Sequence, residues 1–157
     1  MIISGFYFFC FFVLLLDKSF ATRLLAIFGM THIVAENSIY FWTLNHPQFF
    51  DFTLYLLMCW FLDILLIFFS ACILKGWRKK LTLFVVVPTL FSQMLAMQYP
   101  LLLPGILSFV VNSSYATSME MIILCASFKD NTIKEWIKTG LVMSSLVLAR
   151  FVPYLMH

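Results

Sequence analysis

Long apolar runs alternate with short polar interruptions along the whole chain. The runs cover about residues 1–16, 24–42, 51–74, 81–97, 101–127 and 139–156. A helix needs roughly 20 apolar residues, with 17–25 usual, to cross about 30 Å of hydrocarbon. The second to sixth runs have that length. The first would extend only about 24 Å at 1.5 Å per residue, so it either spans a thinned bilayer or inserts part of the way. Strands of a membrane barrel alternate apolar and polar positions, whereas Phe8 to Leu16 is apolar throughout. The pattern predicts an all-α fold: a polytopic transmembrane helical bundle of six spans, or five if segment 1–16 does not cross. Residues 1–157 form a single transmembrane domain in this reading, with no convincing internal repeat.

Composition strengthens this picture. Of 157 residues, 63% are hydrophobic and 11% are charged, against roughly 25% charged in an average soluble domain. So few charges do not cover a soluble surface, and a disordered chain or a nucleic-acid binder is excluded on the same ground. The first run has no basic region before it and ends at Asp17-Lys18, so it reads as a retained membrane segment rather than a cleaved signal. No lipidation motif is present. Cys10, Cys59, Cys72 and Cys125 form no CxxC pair and read as small apolar residues.

Charge placement sets an expected topology. The net charge is +3, and nine of the ten Lys and Arg fall in connections 17–23, 75–80 and 129–138. The two other connections carry none. The positive-inside rule puts the three basic connections in the cytoplasm; both termini then lie outside if six segments span. The expected compartment is a bacterial inner membrane. The loop bearing Lys75, Arg78, Lys79 and Lys80 would meet anionic headgroups at the membrane surface, chiefly fixing topology. Trp42, Trp77 and Trp136 sit at run ends, where amphipathic rings suit the headgroup region. Asn45-His46-Pro47 and Pro100/Pro104 mark the outer turns, Pro88 should kink the fourth helix, and 132–138 has the pattern of a short interfacial helix.

The polar residues left within the runs are the candidate site: His32, Glu36, Asp63, Gln93, Glu120 and Arg150. Ionisable groups in hydrocarbon are costly, so they face a bundle interior and find partners. Counting 1.5 Å per residue from the basic connections puts Glu36, Asp63, Gln93 and Arg150 at one level, about 18–20 Å in. His32 and Glu120 share a second level at about 14 Å. The plainest reading is structural: Arg150 neutralises Glu36 or Asp63, and Gln93 bonds between helices. The functional reading is a mid-membrane site whose acidic excess suits a proton, a metal ion or an organic cation.

Two sharper versions follow. His32, Glu36 and Asp63 have the donor types of a metal constellation, and an i,i+4 pair suits two ligands on one helix. Neither an HExxH motif nor a second intramembrane His supports it, so no metal and no cofactor is expected. A proton relay from His32 to Glu120 or Glu36 is the other. No catalytic residue is expected: Ser113, Ser114 and Ser118 lack a Gly-flanked nucleophile motif or a paired Lys. The Asn112-Ser113-Ser114 sequon falls within an expected helix.

The expected partners are the lipid bilayer and another membrane protein or a second copy, with no nucleic acid. The chain is expected to act by helix–helix interaction as a subunit, assembly factor or immunity factor of a membrane system, not as an enzyme. The alternative is a small transporter, or a substrate-binding membrane subunit, with the acidic/Arg site at mid-membrane.

Overall fold

The structure is a computed structural model, and it describes residues 2–46, 52–98, 104–127, 137 and 139–146. Five helices follow the apolar runs: α1 (Ile2–Leu15), α2 (Phe20–Asn45), α3 (Phe52–Ile73), α4 (Trp77–Gln98) and α5 (Pro104–Ser127). A sixth helical stretch, α6, is described over 139–146. Among the described residues there is no strand. The Lys129–Lys138 connection apart from Ile137, the turns at Pro47 and Pro100, and Trp136 lie outside the described residues.

Local chemistry sets the connections. The first helix ends where Leu16 and Asp17 donate their N–H groups to Val13 and Leu14, both at 3.1 Å. The Asp17 carboxylate then accepts the Ser19 N–H at 2.7 Å, an Asx turn that redirects the chain into α2. Between α3 and α4 the turn residue is Gly76, with φ of 61°, a left-handed conformation that glycine adopts without a Cβ clash. The basic connection is shorter than the sequence pattern indicated. Arg78, Lys79 and Lys80 belong to the first turn of α4, leaving Leu74, Lys75 and Gly76 between helices. Cations are unfavourable at a helix N-terminus by a few tenths of a kcal/mol to about 1 kcal/mol, which is small beside the apolar packing of the rest of α4. That helix also continues through Pro88 to Gln98, with the proline on its exposed side.

From α1 to α5 each helix packs on the next in sequence, and α1 closes against α5. The first helix is central despite its length: Tyr7, Cys10, Phe11 and Leu14 are all fully buried. Its closest approach is to α2, where the Phe11 ring fills the space a Cβ on Gly29 would occupy. The Cys10 thiol faces the Val142 carbonyl at 3.9 Å, tying α1 to α6. Thr89 and Ser118 hydroxyls bond at 2.7 Å between α4 and α5. Many other hydroxyl and amide side chains bond one turn back along their own helix, as Thr31 to Ile27, Asn37 to Ile33 and Ser70 to Leu66. This removes polar groups from any demand on the surroundings.

The bundle carries much of its polarity inside and much of its aromatic surface outside. Phe84 is 78% exposed, and Phe20, Phe61, Phe68 and Phe91 are exposed with it. Asp63 is only 6% exposed and Gln93 3%. Of the described helices, α2 is long and apolar enough to cross a membrane; shorter apolar stretches occupy Ser4–Leu15, Leu57–Ile73 and Tyr115–Ser127. Two cysteines, Cys10 and Cys125, are buried as expected, whereas Cys59 is half-buried and Cys72 exposed.

Candidate functional site

Three helices meet at a polar cluster. His32 and Glu36 stand one turn apart on α2, and their side chains approach to 3.6 Å between Nε2 and Oε1. The α3 carboxylate of Asp63 comes to the same nitrogen, with Oδ1 at 3.2 Å. From α4, the Gln93 amide donates through Nε2 to Asp63 Oδ2 at 3.3 Å. The packing of α2 on α3 and α3 on α4 thus gathers four of the six candidate residues.

The imidazole has an unusual environment. His32 is 5% exposed, and neither of its nitrogens makes an aligned hydrogen bond. Two carboxylate oxygens nevertheless lie within 4 Å of Nε2. Both oxygens are close enough for an ion pair, and neither is a hydrogen-bond partner of the ring. Gln93 Oε1 is also buried without a partner. Tyr115 of α5 covers the imidazole, with ring planes 18° apart and centroids 6.1 Å apart. Its buried hydroxyl makes no aligned hydrogen bond. Among the described residues, no Lys or Arg is paired with Glu36 or Asp63.

The two expected levels merge. Asp63, expected level with Glu36, also reaches His32 one turn away, with Oδ1 3.2 Å from Nε2. Glu120 does not join this cluster through His32. Its Oε1 accepts the Tyr7 hydroxyl at 3.2 Å, and Tyr7 meets Tyr115 edge-on at 6.2 Å. Arg150 lies outside the described residues. The serines show no nucleophile arrangement where they are described: Ser118 bonds Thr89, and the Ser113 carbonyl accepts the Thr117 hydroxyl. The side chains of Asn112 and Ser114 lie outside the described residues.

Sequence reasoning missed Tyr7, Tyr115 and the Thr89–Ser118 bond. Both tyrosines stand within apolar runs. The usable signal was their hydroxyl, since a buried tyrosine tends to find a polar partner.

Comparison with known proteins gives a match to the Phage PhiTE protein family over residues 1–152. No curated protein and no solved structure matches the chain.

Proposed function

We propose that this chain, which belongs to the Phage PhiTE protein family, is a small polytopic membrane protein. It acts in the inner membrane of the bacterial host through helix–helix contacts with another membrane protein. The observation that carries this reading is the exposure of large aromatic side chains around a buried polar cluster. An apolar surface of this kind suits lipid or a partner helix rather than water. The helix dimensions agree with it: 22 residues in α3 extend about 33 Å, close to the hydrocarbon thickness. Exposed Trp42 and Trp77 stand near the end of α2 and at the start of α4, positions that suit an interfacial belt. Several side-chain hydroxyls satisfied within their own helices also suit a lipid environment.

Six spans put Lys75–Lys80 in the cytoplasm. In a chain whose four native cysteines are replaced by serine, a cysteine placed at Lys79 should react with a membrane-impermeant maleimide in inverted vesicles and stay unlabelled in intact spheroplasts. The chain itself should resist alkaline carbonate extraction. Release by carbonate, or labelling of spheroplasts, would overturn the reading.

A second reading, a component of cation transport, is favoured by the carboxyl groups of Glu36 and Asp63, half-buried and buried, which have no Lys or Arg partner among the described residues. Asp63→Asn and Glu36→Gln should then abolish the growth phenotype of the expressed protein while leaving its amount in the membrane unchanged. Retention of the phenotype in both variants removes transport; loss of both variants from the membrane assigns the cluster a structural role.

A further inference from the structure

We infer that His32, Glu36 and Asp63 form a binding site for a divalent first-row transition-metal ion such as Zn²⁺. Each of the three residues offers one ligand atom, and those atoms lie within 4.8 Å of one another. Ligands about 2.0–2.1 Å from a tetrahedral Zn²⁺ are separated from each other by about 3.3 Å. The separations at Nε2 are 3.2 Å to Asp63 and 3.6 Å to Glu36. One imidazole nitrogen and one oxygen from each carboxylate supply three ligands, with the carboxylate oxygens within 4.8 Å of each other.

The second observation is the His32 ring itself. It is buried, and Nε2 stands 3.2 and 3.6 Å from two carboxylate oxygens without a hydrogen bond to either. A nitrogen that coordinates a cation held by two carboxylates likewise donates to neither oxygen, because its lone pair is engaged by the cation. Coordination would satisfy Nε2 and leave only the Nδ1 N–H. A protonated ring would instead bury two misdirected donors.

Chemistry beyond the three ligands fits as well. Ligating carboxylates are commonly oriented by hydrogen bonds from neighbouring groups, and Gln93 supplies one to the far oxygen of Asp63. Tyr115 closes one side of the imidazole. Two carboxylates and a neutral imidazole give the pocket a charge that a dication offsets. This donor set of one nitrogen and two oxygens suits Zn²⁺, Mn²⁺, Fe²⁺ or Co²⁺ better than Mg²⁺ or Ca²⁺, which favour oxygen alone. Of the three, Glu36 is the least buried, so it marks the side from which an ion enters. The absent HExxH motif does not bear on this site, because its third ligand arrives from a different helix. The site requires only that α2 pack on α3, so its failure would leave the membrane reading untouched.

The test uses the full chain purified in mild detergent with chelators and then titrated with Co²⁺ and Zn²⁺. One Co²⁺ per chain should bind, giving visible d–d bands that Zn²⁺ abolishes, since Zn²⁺ lies above Co²⁺ in divalent affinity. Gln93→Ala should weaken binding by about 10–100-fold, the usual effect of removing a group that orients a ligand. Glu36→Gln should weaken it at least as much, whereas Cys72→Ser should bind like the parent. Circular dichroism and elution volume check that each variant folds. X-ray absorption of the Zn²⁺-loaded parent, which requires no variant, should show nitrogen and oxygen ligands including one imidazole. Absence of stoichiometric binding, equal affinity in Glu36→Gln, loss of binding in Cys72→Ser, or a shell lacking imidazole would each overturn the site.

Discussion

Replacing Asp63 with alanine should destabilise the folded chain by roughly 3–5 kcal/mol, the cost of breaking a buried charged pair by removing one partner. Asp63 accepts the Gln93 amide at 3.3 Å and stands 3.2 Å from His32 Nε2. Both neighbours are buried, so neither recovers a water bond when the carboxylate is lost. The fourfold replacement His32→Leu, Glu36→Leu, Asp63→Leu and Gln93→Leu should cost far less than Asp63→Ala alone. Exchanging a whole buried polar group for well-packed apolar residues is often neutral or stabilising. Thermal unfolding in detergent, followed by circular dichroism, measures both. If the fourfold variant is the less stable of the two, the cluster holds the fold together. If it is as stable as the parent, the polar residues are retained for a purpose other than stability. An Asp63→Ala cost below about 1 kcal/mol would mean that the carboxylate is not buried among donors.

The second large effect is expected where α1 meets α2. Phe11→Ala should cost about 3–5 kcal/mol, because the ring is fully buried and its loss leaves a cavity. The more informative substitution is Gly29→Ala. In a helix interior, Ala is ordinarily favoured over Gly by about 1 kcal/mol. Here the new Cβ would overlap the Phe11 ring, so the substitution should instead destabilise by about 1–3 kcal/mol, the range for overpacking. Combining Gly29→Ala with Phe11→Leu should recover part of that loss, since a smaller, flexible side chain yields to the Cβ. The same unfolding measurement supplies the double-mutant cycle, and residues in contact should depart from additivity by at least about 0.5 kcal/mol. A stabilising Gly29→Ala would show that α1 does not dock at this point. That result would also bear on segment 1–16, whose 14-residue helix extends only about 21 Å and gains its place from these contacts.

Several elements were legible before any coordinates. The apolar runs at 24–42, 51–74 and 81–97 lie within α2, extend one residue beyond either end of α3, and lie within α4. The His32–Glu36 pair follows from 3.6 residues per turn alone. Depth counting also brought Asp63 and Gln93 to nearly the same height, and they bond. The same counting gave Glu120 a level with His32 and no direction. Height along an axis says nothing about rotation around it, and Glu120 turns toward Tyr7 of α1 instead. The basic connection was misjudged for a related reason. Charged residues looked like a loop, yet the Gly76 turn starts α4 before them.

The sequence by itself determined that the chain is helical, where most helices lie, and which few polar residues stand within apolar runs. Those properties depend on local periodicity and on composition, which are written along one dimension. Only the tertiary structure decided which polar residues meet. Helix rotation and the choice of neighbours come from side-chain packing across elements, as in the seating of Phe11 on Gly29. They turned a level of scattered polar groups into one histidine between two carboxylates on adjacent helices. The separations of 3.2 and 3.6 Å at His32 Nε2 arise from that packing, and no spacing within a single helix encodes them.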